Sequence, residues 1–216
     1  MAVLSGNMLK LLAAAAMVLD HAGLMFFPEA RWMRIAGRLA FPIFAFMISE
    51  GCRYTRNKGK YFGGIFVLAV LCQAVYFLVD GSMYLSVLFT FSLAIVTIFS
   101  LEARQWYLPV LSVLGVWLLN RVVTIDYGFW GCMAPVFPAL LRGTRFDTLP
   151  ARIAALGLGL LVLALDLGGW QFFALAALPV LLLYSGKRGK WKMKYFFYVF
   201  YPLHLALLQL IAWCVS

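Results

Sequence analysis

Leu19-Asp20-His21-Ala22-Gly23 and, further on, Arg34-Ile35-Ala36-Gly37-Arg38-Leu39-Ala40-Phe41-Pro42-Ile43-Phe44-Ala45-Phe46-Met47-Ile48-Ser49-Glu50-Gly51 set ionisable side chains inside two long apolar runs. Arg53, Arg56, Lys58 and Lys60 close the second run. An ionisable group at the centre of a hydrocarbon layer costs roughly 3 kcal/mol even on the most lenient scale. Asp20, His21, Arg38 and Glu50 therefore require partners, water or a function.

Composition decides what kind of surroundings these residues have. The chain is 65% hydrophobic and 12% charged, with a mean hydropathy of +0.94, far from the roughly half apolar, quarter charged usage of soluble domains. This predicts an all-α, polytopic membrane helix bundle. At ~20 residues per span, 216 residues hold about nine membrane helices with short loops, so residues 1–216 read as a single integral membrane domain.

The net charge of +10 does not point to nucleic acid, because the basic residues sit in loops between apolar runs and form no continuous patch. Topology and anionic headgroups explain them. Cys52, Cys72, Cys132 and Cys214 show no metal-ligand spacing and read as free packing residues, with a Cys132–Cys214 pair left open. No metal site is expected. Lys10 followed by an apolar run resembles the start of a secretory signal, but Asp20-His21 interrupts that run and apolar sequence resumes to Phe27, so residues 8–27 are expected to remain as the first span.

The apolar runs give spans near 8–27, 35–52, 61–79, 84–101, 106–120, 129–141, 152–166, 170–185 and 195–214. Eight spans plus a re-entrant segment is the alternative, since Arg121, Asp126, Gly128 and Gly131 break the run 106–141. With nine spans, Lys10, the 53–60 run, Arg104, Arg142, Arg145, Arg152 and the five cations of 187–194 all fall on one side. Only Arg31, Arg34 and Arg121 face the other. The positive-inside rule then places the N-terminus in the cytoplasm.

At about 1.5 Å per helical residue, Asp20 and His21 come about 15 Å in from the Lys10 edge, near the middle of a ~30 Å core. His204, ten residues beyond Lys194, comes to the same depth. The only two histidines thus fall at one level of the bilayer. Adjacent residues point about 100° apart on a helix, so Asp20 and His21 each need a partner from another helix. Glu50 can meet Arg53 and Tyr54 on its own helix, and Pro42 predicts a kink between Arg38 and Glu50.

These residue types allow general-base chemistry by His21, with Asp20 to set or charge-stabilise the imidazole. They equally allow a polar knot in which Asp20 pairs with Arg38. Arg38 by itself fits a snorkelling residue as well as a binding one. For His204, in Tyr201-Pro202-Leu203-His204, bonding to a backbone carbonyl is the plainer reading. Asp126-Tyr127-Gly128-Phe129-Trp130-Gly131 reads as a turn with interfacial aromatics.

Leu19-Asp20-His21, the 34–46 segment, Glu50-Gly51, Lys60-Tyr61, Asp126-Tyr127-Gly128 and Phe197-Tyr198-Val199-Phe200-Tyr201-Pro202-Leu203-His204-Leu205, in that order, resemble the TraX family of integral membrane proteins. The resemblance spans nearly the whole chain. It implies a bacterial cytoplasmic (inner) membrane protein related to the transmembrane acyltransferases. It further implies transfer of an acetyl group from cytoplasmic acetyl-CoA to an amine or hydroxyl of an extracytoplasmic protein or glycan, with pilin acetylation as the family's namesake reaction. On that reading His21, Asp20 and Arg38 are catalytic, while the basic loops, mainly Arg53, Arg56, Lys58 and Lys60 with the cations of Lys187 to Lys194, attract the CoA phosphates. Glu50, Tyr201 and His204 are substrate-facing or structural. The alternatives are a proton-coupled transporter or channel, and a non-catalytic assembly factor for a surface appendage. Neither acceptor identity nor oligomeric state is set by the sequence.

Overall fold

A computed structural model describes residues 3–81, 83–190 and 193–215. Lys192 and the side chain of Lys194, both counted among the topogenic cations, lie outside the described residues. The elements are α1 (Gly6–Met25), α2 (Arg31–Gly37), α3 (Ala40–Tyr54), α4 (Lys58–Asp80), α5 (Val87–Leu101), α6 (Tyr107–Val122), α7 (Gly128–Met133), α8 (Val136–Leu140), α9 (Leu149–Leu167), a 3-10 stretch (Gly169–Ala176), α10 (Ala177–Leu182) and α11 (Lys194–Val215). The described residues contain no strand, only two isolated bridges. Among the described residues five helical segments are long and apolar enough to cross a membrane: Gly6–Met25, Arg31–Tyr54 (α2 with α3), Lys58–Leu78, Leu149–Leu167 and Phe196–Cys214.

Besides the span expected near 35–52, which is divided between α2 and α3, two of the expected spans are not single helices. The run near 129–141 is divided into α7 and α8, and the run near 170–185 begins as a 3-10 stretch before the short α10. Prolines explain both breaks, because a proline lacks the N–H that would bond the carbonyl four residues back and its ring collides with that carbonyl. Pro135 acts this way between α7 and α8, and Pro179 acts on the carbonyl of Leu175, where the tighter 3-10 winding gives way to α10.

The chain divides into two compact units, Met1–Phe44 with Gly168–Ser216, and Ala45–Leu167. In the first, Ser5 caps α1 by accepting the Met8 N–H at 3.3 Å, which supplies one of the bonds a helix start lacks. The segment before α1 is tied to the loop after α10: the Leu4 N–H donates to the Leu183 carbonyl at 2.9 Å and the Gly6 N–H to the Lys187 carbonyl at 2.8 Å. Along α1, Gly23 lies against Met33 of α2, and Gly37 of α2 lies against Asp20 of α1. At both points the missing side chain lets the helices close. At its other end α1 meets α11, where the Lys10 ammonium lies 5.9 Å above the Phe197 ring.

In the second unit Asn57 caps α4 through its side-chain oxygen and the Lys60 N–H at 2.8 Å. Gly81, at φ 64°, ends the helix. Phe66, Val67, Val70, Leu71, Val75, Phe77 and Leu78 of α4 are exposed. A helix facing water would carry polar residues at such positions, so this apolar face is that of a helix in lipid. The core of the unit gathers Cys52, Ile95, Ile98, Val116, Ile125, Cys132, Met133 and Val136. Of the 126–131 segment expected to be a turn, only Asp126 and Tyr127 turn, and Gly128 already opens α7; Tyr127 at φ 61° and Gly128 at φ 60° are both left-handed. Asp126 anchors it by accepting from the Tyr84 hydroxyl at 2.7 Å, while its backbone carbonyl accepts from Thr90 Oγ1 at 2.7 Å. All four cysteines are free.

Candidate functional site

Pro42 shapes the first cluster. Its missing N–H and its ring act on the carbonyl of Arg38, so the apolar run from Arg31 breaks there into α2 and α3, with Arg38 as the C-cap of α2. The break is thus at the near end of the interval in which a kink was expected, before the proline. Pro42 then sits in the first turn of α3, where no N–H is needed. Arg34 and Arg38, four residues apart, share one face of this last turn, and both reach Asp20 on α1.

Asp20 is held on every side. Arg38 Nη2 donates to Oδ1 and to Oδ2, each at 3.0 Å. Arg34 Nη1 lies 3.1 Å from Oδ2 and donates to the Asp20 backbone carbonyl at 3.2 Å. Arg38 Nη1 donates to Oε1 of the buried Gln171 at 3.3 Å. The pairing of Asp20 with Arg38 is therefore present, and two guanidinium groups face one carboxylate. Side-chain exposures of 14% for Arg38 and 15% for Asp20 put this pair where removing one member is costly.

His21 does not use its neighbour Asp20. Its Nδ1 lies 3.2 Å from His204 Nε2, and the two rings stack with centroids 5.3 Å apart at 28°. The two histidines expected at one depth are in contact. His204 Nδ1 donates to the Phe200 carbonyl at 2.9 Å, and the Phe200 ring lies almost parallel to the imidazole at 8°. Tyr201 meets His204 edge-on. The carbonyl bond expected for His204 is thus one of two, and the second joins it to His21.

Residues 5–212 match the TraX protein family. The chain belongs to the TraX family. Its relatives include a protein of Dichelobacter nodosus described as a probable fimbrial assembly protein, FimC of serogroup H1, which is 30% identical over 94% of each chain. Protein TraX of Escherichia coli is 29% identical over 95% of this chain and 86% of its own. An uncharacterized protein of Rickettsia prowazekii is 52% identical over a segment covering 18% of this chain. No solved structure matches.

A second charged cluster of this TraX family member lies in the other unit. Arg152 Nη1 reaches Glu50 Oε1 at 3.2 Å and Asp147 Oδ1 at 3.8 Å. Arg53 makes a two-pronged bond to Asp147, 2.8 Å on each oxygen, and this holds the Asp147 carboxyl below the usual carboxylate range. Glu102 binds Lys58 at 2.5 Å and also binds Arg142. The expected pairing of Glu50 with Arg53 along one helix is replaced, because the planar guanidinium of Arg53 matches the Asp147 carboxylate with two parallel bonds. Arg53 and Lys58, expected to attract phosphate, are thereby engaged with carboxylates. Arg56 and Lys60 are exposed and make no ion pair among the described residues. The cavity beside Glu50, Arg142 and Arg152 is about 10 Å³, room for about one water molecule.

The sequence does not single out Gln171, Asp147 or Glu102, nor the pairing roles of Arg34, Arg142 and Arg152. Gln171 is the lone polar side chain in Gly169–Ala176, the one local signal available. Asp147 offers none, and Arg152 reads only as one of the topogenic cations. Among the described residues no group of three or more His, Cys, Asp or Glu side chains is gathered as for a metal ion.

Proposed function

We propose that this protein is a multi-pass enzyme of the bacterial cytoplasmic membrane that moves an acetyl group from acetyl-CoA to an amine or hydroxyl acceptor on the extracytoplasmic side. A pilin N-terminus or an envelope glycan would be such an acceptor. The observation that carries the reading is the pair of groups at the end of α1: a histidine held by another histidine, beside two arginines that share one carboxylate. Acyl transfer needs both a base for the attacking group and positive charge near the oxygen that becomes negative.

In this scheme His21 takes the proton from the acceptor N–H or O–H as the freed lone pair attacks the thioester carbonyl carbon. A tetrahedral oxyanion forms, the carbon–sulfur bond breaks, and the proton passes from His21 to the departing sulfur, leaving CoA thiol and the acetylated acceptor. Arg38 acts through its charge, since its terminal nitrogens already donate to Asp20 and Gln171. Asp20 holds Arg34 and Arg38 in place. Arg56 and Lys60, exposed, attract the CoA phosphates from the cytoplasmic side. The remaining short helices complete nine spans, with the N-terminus in the cytoplasm.

Purified protein in detergent with radiolabelled acetyl-CoA tests the reading. Label passing to water, to the protein or to added membrane extract is the expected result. The FimC relative favours one second reading, a non-catalytic factor for assembling a surface appendage, and intact donor with no CoA binding would select it. Proton-driven flux in proteoliposomes, again with intact donor, would select the transporter.

A further inference from the structure

The roles of the four imidazole nitrogens follow from the one group that has no choice. A backbone carbonyl can only accept, and the Phe200 oxygen lies 2.9 Å from His204 Nδ1, so that nitrogen carries a proton. A neutral imidazole has one protonated and one bare nitrogen, which makes His204 Nε2 an acceptor. His21 Nδ1 faces it at 3.2 Å. Two bare nitrogens would repel, so His21 Nδ1 is the donor. The bare nitrogen of His21 is then Nε2, turned away from His204.

The groups around the two rings fit this arrangement. The Asp20 carboxylate, the obvious alternative acceptor for an imidazole N–H, is occupied by Arg34 and Arg38. His204 has little freedom to turn over: it is 7% exposed, lies nearly parallel against Phe200 and meets Tyr201 edge-on. Phe200 and His204 are four residues apart on α11, so the helix itself sets the carbonyl beneath the ring.

We propose that His204 is a positioning residue: seated on the Phe200 carbonyl, it fixes His21 as the Nδ1–H tautomer and leaves His21 Nε2 as the atom that takes the acceptor's proton. The tautomer assignment rests on the two contacts alone, whereas the proton transfer rests on the acyltransferase reading. When Nε2 gains the proton, the Nδ1–H bond to His204 becomes charge-assisted and strengthens. His204 thus favours the charged form of His21 without touching substrate.

The test uses the full chain in detergent, labelled with 15N in its two histidines. Ring-nitrogen spectra of the parent, taken where both rings are neutral, are expected to show His21 with a protonated Nδ1 and a bare Nε2. Finding His21 protonated at Nε2 instead would overturn the proposal without any variant being made. In His204→Ala the His21 signals are expected to move toward the Nε2–H form, and kcat for acetyl transfer to fall about tenfold with KM for acetyl-CoA little changed. His204→Gln keeps an acceptor at similar reach and is expected to restore both the tautomer and most of kcat. Parent kcat in a folded His204→Ala protein would overturn the positioning role. A parent protein with the expected tautomer that transfers no acetyl group would instead overturn the acyltransferase reading, and the proton-transfer half of this proposal with it.

Discussion

At the scale of single residues, His21 and Asp20 are neighbours with separate tasks. His21→Ala is expected to lower turnover by roughly 10²-fold, the usual contribution of a general base, while CoA binding measured by calorimetry and the melting temperature stay close to the parent values. Asp20→Ala should behave the other way. Removing the carboxylate leaves Arg34 and Arg38 facing each other in a half-buried site, and loss of one member of such a cluster costs about 3 kcal/mol. Thermal unfolding in detergent should show that loss, along with lowered activity from the displaced guanidinium groups. An unchanged melting temperature for Asp20→Ala would mean that the two arginines find lipid or solvent partners instead.

At the scale of elements, the arrangement depends on how closely α1 and α2 approach. A Cβ on Gly37 would collide with the Asp20 carboxylate, whereas one on Gly63 of α4 would meet nothing within 4 Å. The same substitution is therefore expected to act with opposite sign. Gly37→Ala should destabilise by about 1–3 kcal/mol, the range for overpacking, and disturb the ion pair. Gly63→Ala should be neutral or stabilise by up to about 1 kcal/mol, because a half-buried helical glycine with open space beside it gains from a methyl group. Parallel thermal melts of the two variants check this. Equal effects would show that α1 and α2 shift apart without cost.

At the scale of the whole molecule, topology and pH dependence are the accessible measurements. A cysteine introduced at Lys190 is expected to be shielded from external thiol reagents in intact cells, and one at Gly81 to react. The reverse pattern would invert the proposed orientation and the donor side. The Arg53–Asp147 pair predicts the response to acid. Its carboxyl is held below the ordinary carboxylate value, so folding binds fewer protons at this group than unfolding does. The pair's contribution is present in full above about pH 4, the value for an unfolded aspartate, and disappears as pH falls through the lower folded value. Melting temperatures of the parent and Asp147→Asn should accordingly differ at neutral pH and converge as the medium is acidified below about pH 4.

The sequence by itself determined that this is an all-helical membrane protein, because 65% apolar content in runs with charged breaks has few other stable outcomes. It also singled out Asp20, His21, Arg38 and His204, since an ionisable residue in an apolar run stands out before any contact is known. Helical depth even placed the two histidines level. Periodicity carries no information on which helices adjoin, so partners were beyond its reach. That His21 bonds His204 and not Asp20, that Gln171 accepts from Arg38, and that Arg53 turns to Asp147 were decided only where the folded chain brought segments more than ninety residues apart within hydrogen-bond distance. Length also left the breaks within 35–52, 129–141 and 170–185 open, because the prolines there act on carbonyls four residues back, and only the folded backbone shows whether a helix bends, tightens or stops in answer.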